Sequence, residues 1–299
     1  MLEIIKYNED EYAFPCLLVL GCFDGLHIGH AELLKKAKLQ AKINGLDLGV
    51  MMFTNGKGGR QVFTFEERLE ILEQFNVKFV LAVDYNAQFK KTTPKEFLDV
   101  LDAKLNVKAY MSGRDFRFGA DAKGKSSTIK SYAEDDENGV WFMPVKDVTY
   151  VGEKVSTTLI KQCIEGGNMV KAGALLGRNY YVTGFVIEGA NRGKKLLSFP
   201  TVNMRYPSDK VEVKKGVYKV KCIVSGEEFV GVASYGPRPT FDETSNVLEA
   251  HIYNYVGALY GRAVTIEFIE YIRDIEKFDS PEALKAQLKE DLKRAKQKV

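Results

Sequence analysis

Residues Gly21 to His30 read GCFDGLHIGH, and the rest of the chain is parsed from them. The chain has three histidines; two of them, His27 and His30, stand here, joined by Gly29 and preceded by Gly21 and Gly25. An apolar run, Cys16-Leu17-Leu18-Val19-Leu20, leads in, and Leu33, Leu34, Ala37 and Ala41 follow at helical spacing. That pattern predicts a strand, a glycine-rich turn and a helix N-terminus. Backbone N–H groups and the helix dipole at such a terminus favour a phosphate. Imidazoles placed there can donate hydrogen bonds to charge developing on an α-phosphate under attack. A tight turn with two surface histidines is the plainer alternative. Zinc is disfavoured, because no glutamate or third ligand accompanies the pair.

Working outward, the first half alternates strand and helix. Leu48 to Thr54 and Lys78 to Tyr85 read as strands, as do Lys108 to Ser112 and Trp141 to Val145. Thr64-Phe65-Glu66-Glu67 is a capping box opening a helix to about Phe75, and Thr93-Pro94-Lys95-Glu96 opens another with Pro94 at its first position. Alternation of this kind predicts a Rossmann-like α/β domain: a parallel sheet with helices on both faces and ligands beyond the strand C-termini.

From about Tyr181 short strands recur with turns between them: Tyr181–Val186, Gly216–Val224, Glu228–Ser234, Val247–Tyr253 and Arg262–Ile272. Ser280-Pro281-Glu282 then caps a last helix lined by Leu284, Leu288 and Leu292. This predicts a small antiparallel β-barrel with a terminal helix. The expected boundary follows Gly177, giving domains 1–177 and 178–299.

The 299 residues suit two domains, and 45% hydrophobic with 28% charged residues is ordinary for a globular protein. A formal charge of +3 is too small to imply a nucleic-acid partner. Cys16, Cys22, Cys163 and Cys222 form no C-x-x-C pair, so free thiols are expected. With no signal peptide and no long apolar run, the expected location is cytoplasmic and away from membranes.

A second constellation, GANRGKKLLSFPTVNM, runs from Gly189 to Met204. Glycines beside Arg192, Lys194 and Lys195 suit nucleotide phosphates. Thr201 and Asn203, two apart in extended chain, point to one side and offer hard oxygens suited to Mg²⁺ shared with ATP. A surface hairpin loop would have the same composition.

The first stretch resembles the nucleotidyltransferase motif G-x-F-D-x-x-H-x-G-H, and the second resembles the flavokinase motif G-x-x-x-G-[RK]-x-L-G-[FY]-P-T-A-N. Gly231-Val232-Ala233, Arg238-Pro239-Thr240-Phe241, Leu248-Glu249-Ala250-His251, Tyr260-Gly261 and Lys277-Phe278-Asp279-Ser280 continue the second likeness. Gly113 with Asp115-Phe116-Arg117-Phe118-Gly119 resembles G-x-D-F-R-F-G of the first. In order, these cover nearly the whole chain. It resembles the bacterial bifunctional riboflavin kinase/FMN adenylyltransferase (FAD synthetase) family.

The resemblance implies phosphorylation of riboflavin to FMN by the C-terminal module, then adenylylation of FMN to FAD by the N-terminal one, with ATP as co-substrate. It places Mg²⁺ at Thr201 and Asn203, phosphates at Gly193 and Lys194, and the general base at Glu249. In the other module it places His27 and His30 on the triphosphate, Asp115 on the ribose, and Ser156-Thr157-Thr158 on phosphates. Gly21, Phe23, Asp24, Gly25 and Gly29 complete the nucleotide site. Oligomeric state is left open.

Departures accompany the likeness. Leu159-Ile160-Lys161 stands where the family reads R-I-R, and Phe53-Thr54-Asn55-Gly56-Lys57-Gly58 where it reads T-F-[ED]-P-H-P. A leucine cannot replace a guanidinium, and lysine loses its bidentate fork. Ser198, Val202 and Ser234-Tyr235-Gly236-Pro237 depart in the kinase half. These changes bear more on adenylylation than on phosphorylation. A riboflavin kinase with a degenerate N-terminal nucleotide- or flavin-binding module is the alternative. Two further readings are weaker. An aminoacyl-tRNA synthetase relative, spelled by His27-Ile28-Gly29-His30, lacks a K-M-S-K-S-like loop; a non-enzymatic flavin store would not turn over.

Overall fold

The computed structural model describes residues 2–57, 59–134, 139–187, 201–238 and 243–297; for 201, 238, 243–245 and 281 it describes the backbone alone. Two compact units divide the chain, Met1–Thr157 and Thr158–Val299.

The first unit opens with β1 (Glu3–Lys6), β2 (Tyr12–Leu20), α1 (Ile28–Asn44), β3 (Asp47–Phe53), α2 (Phe65–Glu73), β4 (Phe79–Val83), α3 (Pro94–Lys104) and β5 (Leu105–Gly113). The short strands β6 (Arg117–Phe118) and β7 (Gly124–Lys125), helix α4 (Ser126–Glu134), β8 (Trp141–Val145) and the hairpin β9 (Thr149–Tyr150) with β10 (Glu153–Lys154) follow. Among the described residues the main sheet has six strands in the order β1-β4-β3-β2-β5-β8, every pair parallel. From β2 the chain runs outward on one side through β3 and β4, and later on the other through β5 and β8. The C-terminal end of β2 is therefore a topological switch point, where α/β sheets bind ligands. Cys16 to Leu20 are at most 1% exposed, as a strand covered on both faces requires.

Both capping boxes form. The Thr64 amide donates to Glu67 Oε2 at 2.8 Å and the Glu67 amide to Thr64 Oγ1 at 3.3 Å; Thr93 and Glu96 repeat the exchange with Pro94 at the first helical position. α1 ends at Gly45, whose φ of 64° closes a left-handed cap onto Ala41 and Lys42.

The second unit takes all of α5 (Thr157–Glu165) but its first residue, α6 (Met169–Leu176), β11 (Tyr180–Phe185), β12 (Thr201–Met204), β13 (Gly216–Val224), β14 (Glu227–Arg238), β15 (Glu243–Ile252), β16 (Ala263–Arg273) and α7 (Pro281–Lys296). Its antiparallel sheet runs β11-β16-β13-β14-β15-β12. Beyond β11, Ile187 bridges Asn203 of β12, with its amide on the Asn203 carbonyl at 2.9 Å, so the outer strands meet and the sheet curls into a barrel. Val202, Tyr218, Val220, Leu248, Ala250, Ile266 and Phe268 fill it, none exposed. α7 lays Leu292 and Ala295 on Val217 and Val232. A fork from Arg273 to Asp291, only 2% exposed, fastens it: Nη2 donates at 2.8 Å and Nε at 3.2 Å.

By compactness the units part at Thr157/Thr158, which groups α5 and α6 with the barrel. The physical reason is packing: α6 rests on β16 and β11, and the Lys214 amide donates to Ile164 of α5 at 3.3 Å. Neither β1 nor α4 was read from the sequence. β1 buries Ile5 alone, and α4 opens on Ser-Ser-Thr, so neither has a clear period.

Candidate active sites

The turn between β2 and α1 is shaped by its own side chains. A Cβ on Gly21 would fall 2.6 Å from Phe23 Cε2, so only glycine lets the Phe23 ring lie across the strand end. Phe23 and Leu26 hold φ of 49° and 41°, left-handed values unusual away from glycine. Both side chains are buried, as is Gly25. Strain of this kind persists only where surrounding contacts over-determine it.

His27 is the N-cap of α1, and its Nδ1 accepts the His30 amide at 3.3 Å. Their rings stack with centroids 3.7 Å apart, and Phe23 lies 4.7 Å from His30. Gly29 allows this: a Cβ there would stand 3.1 Å from the His27 ring. No acidic residue occupies the first turn of α1, leaving its amide field open to an anion. Burial pushes His27 down to about 4, partly opposed by Asp115, and drives His30 well below the ordinary histidine value, with His27 adding to the effect. Both rings are neutral at pH 7. Among the described residues His30 Nδ1 is buried with no hydrogen-bond partner.

Asp24 accepts the Val62 amide at 2.7 Å, tying the turn to the loop before α2. Asp115, beyond β5, pairs with Lys154 at 2.6 Å, and Lys154 reaches Asp147 at 2.9 Å. The Val155 amide donates to Val148, and Val148 lies 3.8 Å from where a Gly29 Cβ would stand. Ser156 follows directly; Thr157 and Thr158 open α5, with Leu159 and Lys161 in its first turns. In the departing segment, Asn55 Nδ2 donates to Asp84 Oδ1 at 2.6 Å and Asn55 Oδ1 accepts the Tyr85 amide at 3.2 Å. An asparagine thus joins the ends of β3 and β4 at the place where the family pattern has an acidic residue.

In the second unit, strand register makes the site. Asn203 pairs with Glu249 and Thr201 with His251 across β12 and β15, while Ser234 of β14 flanks Glu249 from the other side. Leu248, Ala250 and Ile252 point into the barrel, so Glu249 and His251 share the opposite face, as alternation predicts. Directly opposed residues on one face have Cβ atoms about 5 Å apart. Glu249 and Asn203 are therefore neighbours, with Thr201 and His251 one step along. Asn203 and His251 are 5% and 7% exposed. Gly193, Lys194 and Ser198 lie outside the described residues, as does Pro239-Thr240-Phe241. Asn203 offers a hard amide oxygen on this face, a donor type that suits magnesium shared with ATP. Among the described residues no group of three or more His, Cys, Asp or Glu is arranged as a metal site.

Lys154 and Arg68 were not singled out from the sequence. Arg68, on α2, is 1% exposed, although its helix reads as an ordinary amphipathic segment. His251 has no role in the sequence reading; alternation along the strand is the one signal that sets it beside Glu249.

Comparison with known proteins covers both units. The FAD synthetase family model matches residues 9–159 and the riboflavin kinase family model matches residues 176–299. Bifunctional riboflavin kinase/FMN adenylyltransferases are similar over most of the chain. The one from Bacillus subtilis is 31% identical over 93% of this chain and 91% of its own. The one from Listeria monocytogenes is 32% identical over 92% and 90%. A crystal structure described as a macrolide-efflux protein from Streptococcus pneumoniae superposes over all of both chains with a TM-score of 0.90 at 28% identity. Among the described residues no helix is long and apolar enough to cross a membrane. The chain belongs to the family of bifunctional riboflavin kinases/FMN adenylyltransferases.

Proposed function

We infer that this chain phosphorylates riboflavin to FMN with residues 178–299 and adenylylates FMN to FAD with residues 1–177. The observation that supports the reading is geometric: two histidines stack at the N-terminus of α1, and Asn203 stands opposite Glu249 in the antiparallel sheet. A kinase with a degenerate N-terminal module is not favoured, because the FAD synthetase family model matches residues 9–159 and the curated relatives are bifunctional.

In adenylylation, an FMN phosphate oxygen attacks the α-phosphorus of ATP and pyrophosphate leaves. His27 Nδ1 accepts from the His30 amide, so the proton of the neutral ring sits on Nε2. We assign that N–H, with His30 and the open amides of α1, to the oxyanion charge of the transition state. Gly21, Phe23, Asp24, Gly25 and Gly29 shape this nest, Asp115 takes the ribose, and Ser156, Thr157 and Thr158 take phosphates.

In phosphorylation, Glu249 accepts the proton of the riboflavin hydroxyl as its oxygen attacks the γ-phosphorus. Thr201 and Asn203 would hold Mg²⁺, which when bound offsets charge on the ATP phosphates. Gly193 and Lys194 take those phosphates. The proposal divides the activities at residue 177. Riboflavin, FMN and ATP are its partners, with no nucleic acid or membrane. All four cysteines are free, which suits a cytoplasmic setting.

The test is direct: incubate the protein with riboflavin, ATP and Mg²⁺ and separate the flavins by chromatography. FMN should appear first and FAD after it. FMN without FAD returns the kinase-only alternative, and unchanged riboflavin removes the reading.

A further inference from the structure

We propose that Arg68 is a positioning residue for nucleotidyl transfer: from α2 it fixes the loop that holds Asp24, and so fixes the strained turn that presents His27 and His30. The inference rests on the adenylyl-transfer reading of that turn.

Arg68 is one of the largest fully buried side chains in the molecule. Its Nη2 donates to Gln61 Oε1 at 2.7 Å, and its Nε donates to the Thr64 carbonyl at 3.2 Å. The residue between these contacts and the turn is Val62, whose amide donates to Asp24 Oδ1 at 2.7 Å. One end of the loop is thus fastened to α2 by a guanidinium and its middle is fastened to the turn by a carboxylate. Desolvation lowers the Arg68 pKa, and Asp24 leads the acidic groups that oppose it. The turn carries left-handed φ at Phe23 and Leu26, and the Phe23 ring touches His30. Movement of Asp24 would be passed to its neighbour Phe23 and on to the histidines.

Stability alone does not account for this arginine. A buried, paired charge is commonly matched or bettered by an apolar side chain of similar volume. Methionine at 68 would fill similar space and keep helix propensity, but would remove the side-chain donors that reach Gln61 Oε1 and, beside the backbone amide of residue 68, the Thr64 carbonyl. What arginine adds is direction: a planar fork addresses two acceptors on one loop.

The test uses full-length Arg68→Met, Arg68→Lys and Gln61→Leu, with three readouts. Riboflavin phosphorylation by the same molecules serves as the control. The single tryptophan, Trp141, lies in β8 and reports unfolding of the first unit. The three histidines give three sets of ring NMR signals, assignable by single substitution. We expect Arg68→Met to lower kcat for FMN adenylylation about 10- to 100-fold, the loss of one charge-assisted hydrogen bond. KM for ATP should stay within about threefold and phosphorylation should not change. His27 and His30 signals should move and His251 should not. Arg68→Lys should recover part of the loss. A kcat within twofold of the parent's, or a loss that only follows the Trp141 transition, overturns the proposal. Should Arg68→Met fail to fold, Gln61→Leu decides: an unchanged kcat with unmoved histidine signals overturns it equally. If the parent itself makes no FAD, the adenylyl-transfer reading fails, and the histidine signals still judge Arg68.

Discussion

The histidine turn and the Asn203–Glu249 patch hold reactive groups in opposite ways. The turn is contiguous in sequence: Gly21 to His30 supply the strand end, the strained bend, the helix cap and both imidazoles. Its rings are stacked and neutral, with His27 buried and His30 half-buried, and its field comes from backbone amides. The patch draws on strands far apart in the chain, and antiparallel register alone puts Asn203 across from Glu249. Its chemistry is carried by side-chain oxygens. A local site is protected by strain in one turn; a register site depends on pairing along the whole barrel, because a one-residue slip would send Glu249 inside.

The sharpest way to break this contrast is Glu249→Gln. Loss of a general base typically costs about 10²–10⁴-fold. Phosphorylation should fall by that much while adenylylation of supplied FMN holds, as measured by flavin chromatography with each substrate. A variant that phosphorylates at the parent's rate would remove Glu249 from the role.

The mirror experiment replaces His27 and His30 by alanine. Adenylylation should fall about 10²–10³-fold, the scale for losing oxyanion donors, with phosphorylation untouched. An equal fall in both rates would mean the units do not act separately.

Leu159→Arg sharpens the first site. An added guanidinium at the first turn of α5 should raise FAD formation about tenfold through a charge-assisted bond to phosphate. No change in steady-state rate would show that another group already fills the role.

The smallest effect is on stability. With His27 lowered from 6.5 to about 4, the unfolded chain takes up a proton between those values that the folded chain does not. The first unit should therefore lose stability as pH falls through that window, by up to about 3 kcal/mol from this residue. Urea melts followed by Trp141 fluorescence at pH 7 and pH 4.5 should show the loss, and His27→Asn should flatten it. Parallel slopes for parent and variant would contradict the assignment.

How far sequence reading carried differs in the same way. The turn, both capping boxes and the apolar face of α1 were legible because each is local: spacing, caps and glycine constraints lie within a few residues. The strand that carries Glu249 was legible too, as the run Val247–Tyr253. Its neighbour was not. Nothing in Thr201 or Asn203 states which strand they pair with, and the register that sets His251 opposite Thr201 exists only in the folded barrel. Arg68 was hidden for a related reason: a charged residue in an amphipathic helix reads as surface until Gln61 and Thr64 close over it. The placement of α6 with the barrel arises from packing against β16 and β11, which no local signal in α6 reports.

Mixing two defective proteins tests the central claim, that the two steps run at separate sites. Glu249→Gln and His27→Ala/His30→Ala should each fail to make FAD from riboflavin, the first stopping at riboflavin and the second at FMN. Combined in one tube with ATP and Mg²⁺, they should restore FAD, because FMN released by one is adenylylated by the other. A mixture that accumulates FMN and no FAD, while the parent protein makes FAD, would contradict the account.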